Sequence, residues 1–251
     1  RDRLLREIDA GPNVVEVAGV EMSVSSREEA KKTGKSRRLE IVYRPTSAEA
    51  FDAAVKALKA AGFEEGVHFT AKRPEGGERG YVYLRSAGLW KLVELERQGV
   101  DWAERALKRL EEIARARGFS DLLDEHLRPA REAGLADPRG MVAEDKERGI
   151  RAEVKDLRLE WEGGRPRIVL TYEVGNRAES FFFTWRVAKG GEVRASVWLD
   201  YERAAVLAAL TGDESLKERS GVATLTARHL LALVKYVGWD LLWWYARVMG
   251  E

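Results

Sequence analysis

Hydrophobic positions along this chain follow two periods, and the change from one to the other divides it. Residues 15–24 alternate as a strand does, and residues 38–44 put Leu39, Ile41 and Tyr43 on one face. The intervening SSREEAKKTGKSRR has no apolar period and concentrates Lys31, Lys32, Lys35, Arg37 and Arg38 around Gly34. It therefore reads as a solvated connection, helical at most at its start. Pro45 with Thr46 or Ser47 starts a helix that runs to about Ala61 and stops at Gly62, with Glu49 at the positive end of its dipole. VHFTAKR and GYVYLR then form a hairpin across PEGGERG. Leu89, Leu92, Val93 and Leu95 recur at helical spacing, as do Trp102, Ala106, Leu110 and Ile113 in a second helix that Gly118 closes. Ahead of all this, residues 4–10 read as the end of a helix stopped by Gly11 and Pro12.

A short helix over residues 122–131 leads into GLADPRG and the charged AEDKERG, where a domain boundary is expected. Beyond it the period drops to two. Leu157/Leu159/Trp161, Ile168/Leu170/Tyr172/Val174, Phe181/Phe183/Trp185/Val187 and Val193/Ala195/Val197/Leu199 are separated by EGGRP, GNRAE and AKGG. That pattern predicts a four-stranded antiparallel meander with one buried face, followed by helices over residues 201–210, 227–236 and 239–249. VYLRSAGLWKLVELERQGVDW also lies over ATLTARHLLALVKYVGWDLLW, with Leu84, Leu89, Leu92 and Val93 falling on Leu225, Leu230, Leu233 and Val234. The expectation is an α+β protein of two related halves, residues 1–118 and 150–251, joined by a connection at 119–149, each half a sheet packed on helices. Two copies about a pseudo-two-fold axis suit a near-symmetric object such as a DNA duplex; equally, they serve to stabilise each other.

Composition narrows the setting. No run approaches the roughly 18 uncharged apolar residues of a membrane helix. The chain has no cysteine, which removes disulfides and thiolate metal sites, and no secretory leader opens it, so a cytoplasmic location is expected. It begins at Arg1 rather than Met, as is expected of a fragment, a processed chain or a chain whose start is missing. Asn13, Asn176 and Gln98 are the only side-chain amides beside 43 basic and 42 acidic residues, a balance expected of a thermophile's ion-pair-rich protein. With a net charge of +1, affinity for phosphates has to come from local surfaces.

Alternation fixes what the meander turns outward: Arg158, Arg167, Thr171, Phe182, Thr184, Arg186, Arg194, Ser196 and Trp198, with Glu160 and Glu173. Guanidinium and hydroxyl groups reach phosphates and aromatic rings stack on bases, so this face is a candidate nucleic-acid platform. The competing expectation is that helices cover Phe182 and Trp198 while the arginines pair with Glu160 and Glu173. Asp9, Asp137 and Asp213 with Glu214 stand beside glycines at helix ends, where an acid can hold Mg²⁺ against phosphate oxygens or can simply stop a helix. His68, His126 and His229 have no zinc spacing, and no phosphate-binding glycine loop or nucleophile elbow occurs, so neither zinc nor a nucleotide cofactor is expected. Trp239, Trp243, Trp244 and Tyr245 concentrate on the last helix, as core or as a contact between subunits.

LAALTGDES, from Leu207, resembles the LAGLIDADG motif of homing endonucleases: Leu207, Ala208 and Leu210 agree, Ala209 replaces a glycine, and Glu214 falls at the acidic position. That resemblance implies a saddle-shaped sheet on double-stranded DNA, with Mg²⁺ held by Glu214 and Asp213, or by Glu214 with Asp9 or Asp137. VKALKAAGF in the first half lacks the acid, which implies a degenerate relative. GYVYLRSAGLWKLVE, EVKDLRLEWEGGRPRIVLTYEV and ERAAVLAALTGDESL resemble the PaRep family, repeat-encoded proteins of hyperthermophilic crenarchaea, and imply a multicopy archaeal protein derived from a mobile element. The function expected is DNA binding, with Arg158, Arg167, Arg186, Arg194 and Trp198 in contact. The alternative is a non-enzymatic interaction module that assembles, as a homo-oligomer or with a partner, through the Trp-rich helix.

Overall fold

The computed structural model describes residues 12–250, so the helix expected over residues 4–10, and Asp9 with it, lies outside the described residues. The chain is α+β, with seven α-helices and three antiparallel sheets among the described residues. It divides into two compact units at the step from Arg131 to Glu132. Among the described residues, no helix is long and apolar enough to cross a membrane.

The first unit begins with strands β1 (Val14–Val17), β2 (Val20–Lys31) and β3 (Gly34–Tyr43). Residues 15–24 are two strands rather than one. Val17 pairs with Val20, and Ala18 and Gly19 between them both take positive φ, +51° and +83°, as the tightest hairpin turns require. The solvated run SSREEAKKTGKSRR is not a loop either. Its backbone pairs β2 to β3 from Ser23 with Val42 out to Lys31 with Gly34, and because both faces of that ribbon meet water, its side chains show no period.

Helix α1 (Ala48–Ala60) starts where Ser47 Oγ accepts the Ala50 amide at 3.1 Å. Strands β4 (Phe69–Lys72) and β5 (Tyr81–Leu84) form the expected hairpin, and the sheet order is β1-β2-β3-β5-β4. Helices α2 (Ser86–Arg97), α3 (Asp101–Arg117) and α4 (Ser120–Glu132) complete the unit, and Gly118 caps α3 in the left-handed conformation. At Gly88 of α2 a Cβ would stand 2.4 Å from the His68 carbonyl oxygen and from Leu84 Cδ1. Glycine is what lets this helix sit so close to the sheet.

In the second unit β6 (Val142–Asp145), β7 (Ile150–Glu162), β8 (Arg165–Val174) and β9 (Arg177–Thr184) form the meander β6-β7-β8-β9. Its fourth strand is not the one the alternation proposed. β10 (Arg186–Val187), β11 (Val193–Leu199) and β12 (Gly221–Thr226) make a separate sheet, and β6 comes from the charged stretch that reads as linker. The interior face holds Val154, Ile168, Leu170, Tyr172, Phe181 and Phe183, all buried. Past a bulge at Val154/Asp156, β7 outruns that core, so Leu157 and Leu159 are half-buried and Trp161 is exposed. Helix α5 (Tyr201–Thr211) is capped by Asp200 and buries Ala204 to Ala208 and Leu210; a short 3₁₀ turn (Glu214–Glu218), α6 (Ala227–Val237) and α7 (Trp239–Val248) follow.

One order of elements recurs. β3, α1, β5, α2 and α3 run in the first unit as β11, α5, β12, α6 and α7 do in the second, with β3 antiparallel to β5 and β11 to β12. Leu84, Leu89, Leu92 and Val93, and their counterparts Leu225, Leu230, Leu233 and Val234, are all buried.

Candidate nucleic-acid interface

Register places the outward side chains of the second unit in rows. Across β7, β8 and β9 these are Arg158, Val169 and Phe182; then Glu160, Arg167 and Thr184; then Asp156, Thr171 and Ser180. β9 ends at Thr184 and β10 begins at Arg186. Trp185 between them is fully buried, as is Phe183, so Phe182, Thr184 and Arg186 stay in line on the outer side. Arg186 lies opposite Arg194, and continuing that register would set Ser196 beside Thr184 and Trp198 beside Phe182, where β9 and β11 approach each other. Next along, Ser196 faces Thr224 and Trp198 faces Val222. Phe182, Trp198 and Val222 are 58%, 55% and 77% exposed. Among the described residues no helix covers them.

The cations of this face are partly neutralised at home. Arg158 bonds Glu160 at 2.8 Å and Asp156 at 3.3 Å, Arg194 bonds Glu192, and Arg167 bonds Glu162 while its guanidinium sits 4.5 Å over the Phe182 ring. Arg186 has no ion-pair partner among the described residues. Arg203 packs 5.2 Å from the Trp198 ring and donates to its carbonyl at 3.2 Å, steadying the indole from below. Of the expected pairings, Arg158 does meet Glu160, whereas Glu173 pairs with Lys155, and Phe182 and Trp198 are exposed.

Of the acids at helix ends, Asp9 lies outside the described residues and the other three are each held by neighbours. Asp137 is exposed and closed by Arg139, whose guanidinium holds its carboxyl down at about 2. Glu214 is exposed and bonds Lys217 at 2.6 Å. Asp213 is half-buried beside α6: its Oδ1 accepts Ser215 Oγ at 2.6 Å and the Ser215 amide at 3.1 Å, and its Oδ2 accepts His229 Nε2 at 2.7 Å and Arg228 at 2.9 Å. The Ser215 hydroxyl first, then His229, lowers its pKa to about 2. Four donors leave its oxygens no open position for a cation. Among the described residues no three His, Cys, Asp or Glu side chains are grouped to hold a metal ion.

His229 is equally committed. The Thr226 amide donates to Nδ1 at 3.0 Å, so that nitrogen carries no proton and Nε2–H is the one given to Asp213. The pair looks like the orienting half of a catalytic triad, yet it has no free basic nitrogen to present to a nucleophile, and it works as the capping box of α6. His126 Nδ1 meets Ser86 Oγ at 2.9 Å and joins α4 to α2. On α7, Trp239 and Trp243 stack at 5.6 Å, and Trp239, Trp243, Trp244 and Tyr245 are all half-buried.

Fold and surface together define a two-unit α+β protein whose second unit offers a bare, arginine-edged aromatic sheet face. The model of the PaRep2b protein family matches residues 1–82 and 77–248, so the chain belongs to the PaRep2b family. No curated protein and no solved structure matches it.

Proposed function

We propose that the second unit binds single-stranded nucleic acid on the outer face of β8 to β12. What carries this reading is the pair of exposed rings in mid-strand, Phe182 and Trp198, set among Arg167, Arg186 and Arg194 and the hydroxyls of Thr184, Ser196 and Thr224. Base stacking on an exposed ring is worth about 1–3 kcal/mol. An exposed ion pair contributes about 0–1 kcal/mol, so exchanging Glu160, Glu162 or Glu192 for a phosphate costs little beside what two rings return. Unpaired bases are favoured because a duplex hides its base faces within its own stack. Cleavage is no part of the proposal, since Asp137, Asp213 and Glu214 are each held by basic neighbours.

The test is fluorescence anisotropy of labelled 16-mer oligonucleotides against the chain and its Trp198→Ala and Phe182→Ala variants. Each variant is expected to weaken single-strand binding about five- to a hundredfold, the span of one stacked base. Wild-type affinity in both variants would refute the assignment of this face.

A further inference from the structure

Beyond Ser23 and Val42 the strands β2 and β3 leave the sheet and pair only with each other. From Ser26 to Lys31 that ribbon projects about 20 Å at roughly 3.4 Å per residue. A two-stranded ribbon with no buried face is marginal in water, so its composition matters. Residues 25–40 carry six cations against three carboxylates in a chain whose net charge is +1. Arg27 lies directly opposite Arg38, a like-charge pairing that disfavours the ribbon by itself. Arg37 on the other face bonds Asp121 at 3.5 Å and the Gly118 carbonyl at 3.0 Å, tying that side to the body of the unit. The opposite face, with Arg27, Arg38 and Lys31, is exposed; there Arg27 bonds Glu40 at 3.3 Å and Arg38 bonds Glu29 at 3.4 Å, while Lys31 and Lys32 at the tip have no ion-pair partner among the described residues.

We propose that this ribbon is a second nucleic-acid contact, for duplex DNA, lying in the major groove with Arg27, Arg38, Lys31 and Lys32 on the phosphates. A paired ribbon of strands spaced about 4.8 Å apart enters a groove about 12 Å wide, as an isolated loop of the same charge does not. The ribbon has no exposed aromatic ring, which matches a partner whose bases are already stacked. It deepens the nucleic-acid reading of the second unit but stands on different residues and a different form of DNA.

Two variants of the full chain test it, on a 20-base-pair duplex and a 16-mer single strand across a salt series. Lys31→Ala/Lys32→Ala/Arg38→Ala changes exposed side chains only; it is expected to lower duplex affinity at least tenfold and the salt slope by about 2.7, at roughly 0.9 for each of three phosphates lost, with single-strand binding retained. Glu29→Gln frees Arg38 from its 3.4 Å partner and is expected to tighten duplex binding two- to fivefold, a gain that misfolding cannot produce. Duplex binding and slope unchanged in both variants, or no duplex binding by the wild type at 50 mM salt, overturns the ribbon proposal. Loss of duplex binding in the triple variant, with single-strand binding indifferent to Trp198→Ala, upholds the ribbon and removes the sheet-face reading.

Discussion

Replacing Asp213 by Asn tests the charge network that joins the end of α5 to the start of α6. Its carboxyl, lowered from 3.8 to about 2, is ionised in the folded chain well below the pH at which the unfolded chain takes up a proton. A depressed acid contributes stability that is present above about pH 4 and is lost as pH falls toward 2. At 1.36 kcal/mol per unit, a shift of nearly two units amounts to about 2 kcal/mol. Geometry leads to a similar figure. Asn keeps an oxygen for the Ser215 hydroxyl and amide, but turns an NH₂ toward His229 Nε2–H and Arg228, losing one or two charge-assisted bonds at about 1.5–3 kcal/mol apiece. Guanidinium unfolding of the wild type and Asp213→Asn at pH 7, 4 and 2.5, with hydrogen exchange of α6 as the local probe, measures the difference. The variant is expected to be about 2–3 kcal/mol less stable at pH 7, with most of that gap closed by pH 2.5. A gap that stays constant with pH would refute the charge argument and leave only lost packing.

Gly88→Ala, which in an ordinary helix gains up to about 1 kcal/mol, is expected to cost about 1–3 kcal/mol in thermal unfolding, because the new methyl meets the His68 carbonyl and Leu84. Ala18→Gly is expected to stabilise by up to about 1 kcal/mol, since it relieves a positive φ that disfavours any Cβ; an unchanged melting temperature would contradict the hairpin geometry. Burial holds His126 below 6.5, so the unfolded chain takes up its proton first and stability drops as pH falls below about 6.5; His126→Asn is expected to flatten the stability profile between pH 7 and 5. Millimolar Mg²⁺ is expected to leave the melting temperature of the wild type unchanged, and a rise of several degrees would restore Asp213 and Glu214 as cation ligands.

Where one physical rule acted alone, the sequence was legible. Ser47 before an apolar period marks the start of α1, PEGGERG marks a hairpin, and alternation alone shows that Phe182, Trp198 and the four arginines point away from the core. It was less informative where two rules compete. Ala18 hides a turn because alanine at positive φ runs against its own preference, and the β2–β3 ribbon has no apolar face to announce a strand. Alternation also states which face is buried without naming the neighbour, so β11 read as the meander's fourth strand although it pairs with β10 and β12. Asp213 stood out as an acid beside a glycine, but its partner His229 lies 16 residues on, across a 3₁₀ turn and β12, and only the fold brings the two together.

The recurring run of strand, helix, strand and two helices has a consequence for how the chain can vary. In each unit the distinctive part precedes that run and attaches to the flank of its first strand: β2 on β3 with its projecting ribbon, β10 on β11 after the meander. The first of the two closing helices buries corresponding positions, Leu89, Leu92 and Val93 in one unit and Leu230, Leu233 and Val234 in the other. Length and charge can therefore be varied on the ribbon beyond Ser26, whose side chains reach no core, whereas β1, the base of β2 and the meander bury Val15, Met22, Val154 and Ile168 and are part of the interior of their units. The projecting end of that ribbon is thus the one stretch of the first unit's sheet whose sequence answers to solvent and partners alone, not to packing.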